Sequence, residues 1–412
     1  VSWCERYDAV VVGAGPTGCV VSRRVAEAGF SVLLVEEHDE VGRPNHCAGL
    51  ITPRALSLAE LYPDGLVQNE LSGAIIRSVS GRKISIGGDK THAVAINRPQ
   101  LDARLAVEAQ ESGAELILGT RATRFERNGY GVRVHLDNSH HDQVVEARLL
   151  IGADGANSTV ARWAQLPGPS EVVKAVNAVA RLPDCDTDFV EVFVGRSIAP
   201  GWFGWIIPLG KDHARVGVGT TRGSPTRYLK EIMTAFSSRF RKTEILSIAG
   251  GAIPLGLPRR IHSDHTMLVG DAACQVKYTS GGGVYTGLLA ARNCADTAAR
   301  ALSEDDLSAE SLGRYQTSWL EQMGEEMRLG MLLRRLFVRL GDDDFDKVLH
   351  VLRSQTLGDM ISSHGDIDHP SRLAMRLVSL LPGLKPLSSL AASLAGRDEL
   401  VGDVLALLRA SR

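Results

Sequence analysis

The chain has 412 residues, 44% hydrophobic and 23% charged, which is the composition of a soluble globular protein of about two or three domains. Its formal net charge of −2 gives no reason to expect nucleic acid as a partner, and no run of about 18 apolar residues predicts a membrane span. Six scattered cysteines without a CxxC pair, and no secretory leader before Asp8, are typical of reduced thiols in a cytoplasmic protein.

The first predicted elements form a strand, a glycine-rich turn, a helix and a second strand. Asp8–Val12 and Ser31–Val35 are the apolar strands, and Glu36 follows the second one. The turn between them has GxGxxG spacing, with Gly13, Gly15 and Gly18. These glycines permit a tight turn and close approach of a pyrophosphate to the helix N-terminus, and Glu36 is spaced to bind a ribose. The stretch therefore predicts a dinucleotide site.

The next elements are predicted from alternation and helix signals. Residues 74–96 alternate apolar and polar around Gly81 and Gly87-Gly88, which predicts antiparallel hairpins. A helix is predicted from Arg98 to a cap at Gly113. After it come a strand at Glu115–Leu118, a β-meander over Ala122–Val145 and a separate parallel strand at Leu149–Ile151.

From about residue 172 to 250 the pattern changes to an antiparallel sheet followed by a helix from Pro225 to about Phe240. A strand at Thr266–Val269 and a helix at Gly281–Arg300 then return to the first pattern. We expect an α/β fold, α+β overall, with a discontinuous Rossmann-type cofactor domain (1–73, 97–170 and 256–300). The antiparallel-sheet substrate domain comprises 74–96 and 171–255, and a C-terminal helical region spans 301–412.

Two further signatures specify the cofactor. Gly152–Gly155 (GADG) and Leu268–Asp271 (LVGD) resemble the second and third fingerprints of flavoprotein hydroxylases and reductases. All three signatures together predict FAD rather than NAD. Asp271 is expected to bind the ribityl chain, whereas Asp154 is open to capping a turn or binding the cofactor. The helix after Gly281-Gly282-Gly283 would stabilise the negative charge of reduced flavin with its N–H groups.

The loop RPNHCAGLI, Arg43 to Ile51, is similar to a loop of the geranylgeranyl reductase family, and most closely of its archaeal digeranylgeranylglycerophospholipid reductases. The family pattern Gly-x-Pro-x-x-Cys-Ala is matched by Gly42–Ala48. Two more stretches, Pro200–Pro208 (PGWFGWIIP) and Gly365–Ser371 (GDIDHPS), extend the resemblance over nearly the whole chain. It implies an FAD-dependent reductase that hydrogenates C=C bonds of geranylgeranyl chains in archaeal ether phospholipids, with a hydride from flavin N5 and a proton.

The resemblance also implies which residues bind the cofactor. In addition to the three glycines of the opening turn and Asp154, the expected FAD contacts are Thr17, Glu36, Cys47, Ala48, Leu50, Arg98, Ala122, Asp271, Gly283 and Val284. Two positions depart from the family pattern: Leu50 stands where many relatives have glycine, and Tyr278 stands where a proline usually precedes the triple glycine.

Reduction of an isolated double bond places positive charge on a tertiary carbon, which requires a dry, aromatic-lined pocket. Three aromatic residues, Trp202, Phe203 and Trp205, are expected to line it, with ordinary core packing as the alternative. Cys47 is predicted to be catalytic as a proton donor or part of the pocket wall, although a free cysteine is often only a small buried hydrophobe. Tyr278 is the second candidate acid.

The expected partners are a prenylated glycerophospholipid and the cytoplasmic face of the membrane, contacted peripherally. The electron donor is expected to be NAD(P)H or a ferredoxin, that is, a redox partner protein, because no second nicotinamide-binding unit is evident. Arg334, Arg335 and Arg339 are interpreted either as facing lipid or as the solvated face of a core-packed helix. The stretch from His364 to His369 is predicted as a turn before a helix rather than a metal site.

Two other functions stay open. One is an FAD-dependent monooxygenase or halogenase of an apolar or aromatic substrate, because Phe203-x-Trp205-x-Ile207-Pro208 partly resembles the halogenase element WxWxIP. The other is a non-catalytic flavin electron carrier.

Overall fold

The computed structural model describes residues 5–138 and 142–379. In chain order the strands are β1 (Glu5–Val12), β2 (Val32–Val35), β3 (Leu50–Ile51), β4 (Val67–Leu71), β5 (Gly73–Ser78), β6 (Lys83–Gly87), β7 (Ala93–Ile96), β8 (Glu115–Ile117), β9 (Thr120–Arg127), β10 (Val132–Asn138), β11 (Asp142–Gly152), β12 (Glu171–Arg181), β13 (Phe189–Val194), β14 (Phe203–Pro208), β15 (His213–Thr220), β16 (Glu244–Leu255), β17 (His262–Ser263) and β18 (Thr266–Leu268). The helices are α1 (Pro16–Glu27), α2 (Pro53–Leu58), α3 (Arg98–Glu111), α4 (Thr159–Trp163), α5 (Pro225–Ala235), α6 (Val284–Glu304), α7 (Ala309–Arg339), α8 (Asp342–Leu352), α9 (Gln355–His364) and α10 (Pro370–Ser379).

The first sheet is built on parallel strands, in the order β17-β18-β11-β1-β2-β8, with the β9–β10 hairpin attached to β11. Residues 9–12 of β1 and all of β2 are buried, as expected for strands covered on both faces. Helix α1 packs against both α3 and α6 beside this sheet. The predicted α/β class is confirmed, and the strand, turn and helix that begin the chain lie where the sequence predicts them.

The end of the meander predicted over Ala122–Val145 and the separate strand predicted at Leu149–Ile151 form one long strand. β11 runs without a break: residues 142–147 pair antiparallel with β10, and residues 145–152 pair parallel with β1. The polar residues between the two predicted segments do not interrupt it because Glu146 accepts hydrogen bonds from Arg6 and Arg133, and Arg148 pairs with Asp8.

The second sheet has the order β16-β12-β15-β14-β13-β5-β6 and is antiparallel except for the β13–β5 pair. The predicted hairpin around Gly81 forms between β5 and β6. The hairpin predicted around Gly87-Gly88 is wrong, because β7 does not pair with β6 and instead pairs with β3 and β4 in a separate three-stranded sheet. The helix predicted to reach Phe240 ends at Ala235, and Phe236 and Phe240 instead pack on Phe193.

The C-terminal part is helical as far as residue 379, and residues 380–412 of the predicted helical region lie outside the described residues. Both interpretations of Arg334 are wrong: its side chain is only 3% exposed and donates to Glu171 and to the carbonyl of Gly201. Arg335 and Arg339 are exposed. No helix within the described ranges is long and apolar enough to cross a bilayer. The domain boundaries stay a prediction.

Candidate functional site

The opening turn lies against the second signature. Gly13 has φ +103°, and a Cβ added to it would lie 2.5 Å from the carbonyl oxygen of Ala153. A Cβ on Gly18 would lie 3.1 Å from the carbonyl carbon of Gly13 and closer still to its oxygen, whereas one on Gly15 would meet nothing within 4 Å. Two of the glycines therefore permit close backbone packing, and Gly15 leaves open space at the start of α1, where a pyrophosphate binds in such turns.

Glu36 ends β2 with its carboxylate held beside the same turn. Its Oε2 accepts a hydrogen bond of 2.9 Å from the backbone N–H of Ala14, and its Oε1 accepts one of 3.1 Å from the N–H of His38. These two backbone donors fix the carboxylate next to the first turn of α1. The strand of Ala122 begins beside Glu36, because Thr120, the first residue of that strand, donates its N–H to the carbonyl of Glu36.

The third signature packs on α1 through Thr17. Added Cβ atoms on Gly270 and Gly287 would lie 2.8 Å from Thr17 Oγ1 and Cγ2 respectively, so glycine is required at both positions for this approach. Gly283 and Val284 cap and begin α6, and a Cβ on Gly283 would lie 3.0 Å from Asp271 Oδ1. The first and third signatures thus meet at one end of the parallel sheet.

Asp271 carries a carboxylate to which no residue in the described part of the chain donates a hydrogen bond. Burial raises its pKa to about 6, although the nearby Arg98 guanidinium acts to lower it. A half-buried acceptor without a donor is suited to the hydroxyl of a bound molecule. Asp154 differs: its Oδ2 accepts from the N–H groups of Thr159 and Val160 and so caps α4, while its buried Oδ1 has no partner among the described residues.

Arg98 links Asp271 to the Cys47 loop, residues 43–51. Its guanidinium makes a two-pronged ion pair with Asp102, with both N–O distances 3.0 Å. Burial acts to lower the pKa of Arg98, but Asp102 and the adjacent Cys47 sulfur outweigh burial and raise it. The structure therefore brings Arg98, Cys47 and Asp271 together, as expected for residues that share one ligand.

The Cys47 loop is fixed by backbone contacts on both sides. Cys47 Sγ accepts a hydrogen bond of 3.3 Å from the N–H of Gly49, and the carbonyl of Gly49 accepts one of 2.8 Å from the N–H of Ile96. Leu50 then begins β3, and the carbonyl of Ala48 accepts from Arg215 at 3.1 Å. The loop is consequently held on the three-stranded sheet rather than free in solvent.

Asn177 joins this loop to the aromatic residues of the second sheet. Trp205 Nε1 donates to Asn177 Oδ1 at 3.2 Å, and Asn177 Nδ2 donates to the carbonyl of Cys47 at 3.3 Å. Phe203 stacks on Trp202 with ring centres 5.1 Å apart and meets Trp205 edge-on at 6.2 Å. We call these three side chains the aromatic wall.

The aromatic wall packs against two glycines of β15. Cβ atoms on Gly217 and Gly219 of β15 would fall inside the van der Waals envelopes of Trp205 and Trp202. On its other side Trp202 approaches the triple glycine, because a Cβ on Gly281 would lie 3.1 Å from Trp202 Cζ2. Trp202 and Trp205 are buried and Phe203 is half-buried, so the aromatic residues belong to the core and also border the flavin signature.

Tyr278 is 2% exposed and lies just before the triple glycine. Its buried hydroxyl has no hydrogen-bond partner in the described part of the chain, and burial raises its pKa above the ordinary range. The phenol is consequently neutral at physiological pH, with a proton available to a group that enters the site.

The sequence analysis missed three residues that organise the site. Asn177 and Arg215 are single polar residues inside the apolar stretches AVNAVA and ARVGVG, and that interruption is the signal that could have identified them. Lys277 was the third: its Nζ donates at 2.9 Å to both Asp368 Oδ1 and the carbonyl of Ile367. The turn predicted before the last described helix thus contacts the residue next to Tyr278.

The residues present fit an FAD molecule. The glycine turn leaves open space for a pyrophosphate, Glu36 and Asp271 supply carboxylates, and α6 begins at Gly283 without a side-chain cap. The buried Oδ1 of Asp154 and the half-buried carboxylate of Asp271 have no donor in the described part of the chain, and such a ligand would supply one.

Comparisons with known proteins agree with this fit. The FAD binding domain family matches residues 6–319. An uncharacterized protein of Methanocaldococcus jannaschii is 32% identical over 91% of this chain and 95% of its own length. The digeranylgeranylglycerophospholipid reductase of Methanothrix thermoacetophila is 32% identical over 86% of this chain and 93% of its own length.

Among solved structures, a geranylgeranyl bacteriochlorophyll reductase-like protein from Thermoplasma acidophilum has the same fold. It matches with a TM-score of 0.82 and 23% identity, over 92% of this chain and all of its own.

Proposed function

The chain belongs to the FAD binding domain family and, within it, to the digeranylgeranylglycerophospholipid reductases, and from that premise we propose that it saturates the geranylgeranyl chains of archaeal ether phospholipids. It is an FAD-dependent oxidoreductase. The observation that carries the proposal is the link through Asn177 between the Cys47 loop and the aromatic wall, which joins the flavin signatures to an apolar surface.

An isolated C=C bond has no carbonyl to polarise it, so a hydride and a proton must reach its two carbons in a site without water. When bound and reduced, FAD supplies the hydride. The aromatic wall excludes water and presents π faces to the tertiary carbon on which positive charge develops. Such faces attract a cation most strongly where it is desolvated.

The proton donor is assigned to Cys47, with Tyr278 as the second candidate. The Gly49 N–H and the Arg98 guanidinium both face the Cys47 sulfur and stabilise it once the proton has left. Burial raises the pKa of Tyr278, which makes its hydroxyl a weaker acid than an ordinary phenol.

The substrate of this proposal is a prenylated glycerophospholipid, reached by peripheral contact with the membrane. The electrons come from NAD(P)H or a ferredoxin. Chemically reduced enzyme makes the following test independent of which donor is used.

The test is an anaerobic incubation of chemically reduced, FAD-loaded enzyme with a digeranylgeranylglycerol phospholipid, with the products read by mass spectrometry. We expect a gain of two hydrogen atoms per double bond reduced. Cys47→Ser should keep FAD and slow the reaction about 10²-fold or more, as is typical for loss of a general acid. Cys185→Ser, which changes a half-buried cysteine whose thiol contacts the carbonyl of Leu182, should have no effect.

The outcomes separate the three functions. An unsaturated lipid unchanged by reduced, FAD-loaded enzyme rules the reductase out. A product that forms only when O₂ is consumed supports a monooxygenase or halogenase. Oxidation of the reduced flavin by a partner protein, with no lipid product under any donor, supports an electron carrier.

A further inference from the structure

Arg215 is a buried cation with only neutral hydrogen-bond partners. It lies in the middle of β15 and is 4% exposed. Its Nη1 donates to the carbonyl of Ala48 at 3.1 Å, and its Nη2 donates to Gln68 Oε1 at 2.6 Å and to the carbonyl of Ile96 at 2.8 Å. No carboxylate of residues 5–138 or 142–379 forms an ion pair with it. Burial of an unpaired charge is strongly unfavourable, so an anion is expected to approach it.

The neighbouring charges do not supply that anion. Burial lowers the pKa of Arg215, the Cys47 sulfur acts to raise it, and the Arg98 guanidinium acts to lower it further. Asp102 already forms a two-pronged ion pair with Arg98. The cation that acts on the pKa of Asp271 is also Arg98. Arg215 therefore holds the one guanidinium charge beside Cys47 that no carboxylate of the described chain neutralises.

The Cys47 loop approaches the Arg215 guanidinium closely at Gly49. Gly49 is buried and has φ +65°, and a Cβ added to it would lie 2.5 Å from Arg215 Nη1 and 2.9 Å from the carbonyl oxygen of Ile96. Any side chain at this position would separate the loop from the arginine. The close approach places the charge against the carbonyl of Ala48, the residue after Cys47, and both residues are expected FAD contacts.

We propose that Arg215 is a positioning residue that fixes the Cys47 loop and supplies the unneutralised positive charge that favours the anionic, reduced form of the bound flavin. Positive charge near the flavin ring is one of the means by which a protein adjusts the cofactor's electronic properties. Two-electron reduction adds two electrons and one proton to the neutral ring and leaves one negative charge on it, and Arg215 balances that charge. The proposal depends on FAD binding and not on the identity of the lipid substrate.

The test is the midpoint potential of the bound flavin, measured by equilibration with a redox dye without any lipid present. Arg215→Gln keeps hydrogen-bond donors but removes the charge. We expect the affinity for reduced relative to oxidised FAD to fall about tenfold, which for a two-electron couple makes the potential about 30 mV more negative. The affinity of oxidised flavin for sulfite, measured from the loss of the flavin's visible absorbance, should fall as well, because the sulfite adduct also carries negative charge.

Two variants make the result specific. Arg77→Gln removes a half-buried guanidinium that pairs with Glu191 in the second sheet, and we expect the wild-type potential and sulfite affinity. Arg215→Lys retains the charge and should keep the potential close to the wild-type value. A wild-type potential in FAD-loaded Arg215→Gln overturns the proposal. Should Arg215→Gln not fold, a potential in Arg215→Lys about 30 mV more negative than the wild-type value overturns the proposal, because the charge is still present in that variant.

Because the potential is read without lipid, these results are independent of the proposed substrate. A shifted potential in an enzyme that reduces no lipid would keep the role of Arg215 and reject the proposed function. A wild-type potential in an Arg215→Gln enzyme that still reduces lipid would reject the role of Arg215 and keep the proposed function.

Discussion

Replacing Gly219 by alanine would place a methyl group against the indole of Trp202. The added Cβ would lie 2.8 Å from Trp202 Cγ, 2.9 Å from Nε1 and closer still to Cδ1. The indole has no room to withdraw, because Phe203 stacks on it at 5.1 Å and the Arg334 guanidinium lies 4.8 Å from its ring centre.

Overpacking of this kind costs about 1–3 kcal/mol. The lower conformational entropy of alanine in the unfolded chain offsets about 0.4–1 kcal/mol of that cost. We therefore expect Gly219→Ala to reduce the free energy of unfolding by about 1–2 kcal/mol. We also expect it to lower the rate of lipid reduction, since Trp202 borders the triple glycine.

The assay is urea unfolding of the FAD-loaded protein, followed by far-UV circular dichroism, with lipid turnover measured on the same preparations. Gly250→Ala is the matched control in the same sheet, because its Cβ would approach only the carbonyl oxygen of Ala175, at 3.7 Å. The reasoning is refuted if Gly219→Ala unfolds at the same urea concentration as Gly250→Ala, or if both variants turn over lipid equally.

Three further results are expected. Gly18→Ala should lose FAD during gel filtration because its Cβ collides with backbone, whereas Gly129→Ala, in open space, should retain it. FAD affinity, measured by equilibrium dialysis, should weaken as pH falls through about 6, where Asp271 is protonated and becomes a poorer acceptor, and Asp271→Asn should abolish this dependence. Lys277→Met should lower the free energy of unfolding in urea by about 1–3 kcal/mol, because the carboxylate of Asp368, 1% exposed, loses its nearer cation and keeps Arg54 at 3.6 Å; an unchanged value would contradict this.

Protonation of Asp271 should also make the stability of the FAD-free protein depend on pH. Because burial raises the pKa of Asp271 above its ordinary value, the folded protein without FAD favours the neutral carboxyl. That contribution to stability is complete below pH 3.8, the ordinary value, and is lost as pH rises through about 6. Bound FAD should therefore stabilise the protein most above pH 6, where a carboxylate can accept a hydroxyl.

The backbone of the cofactor site was predictable because its requirements are local. Gly13 and Gly18 are needed by contacts within one turn and its neighbouring strand, so their spacing alone indicates the strand, turn and helix. Glu36 follows from the same unit, since its carboxylate accepts from the N–H of Ala14, in the turn before that helix. The contacts of Gly18 with Gly13 and of Glu36 with Ala14 join residues within about 25 positions of one another, which a sequence pattern can show, whereas the contact of Gly13 with Ala153 is distant in sequence.

The side-chain partners of the site were not predictable because they are distant in sequence. Asn177 donates to a carbonyl 130 positions away, and Arg215 donates to one 167 positions away. Arg334 looked like part of a basic helix face because its acceptor, Glu171, lies 163 positions earlier. Periodicity reports which face of an element is buried and carries no information about which strand or loop covers it.

The Asn177 amide also restricts what can stand at its position. It accepts a hydrogen from Trp205 and gives one to the carbonyl of Cys47, so its oxygen and nitrogen cannot exchange places. Aspartate would set a second oxygen against that carbonyl, leucine would leave an indole N–H and a carbonyl unsatisfied, and glutamine would reach too far. One small amide thus sets the distance between the aromatic wall, which we propose holds the alkene, and the loop that carries the thiol of Cys47. A change in that residue would alter the alignment of the reaction before it altered any group that takes part in it.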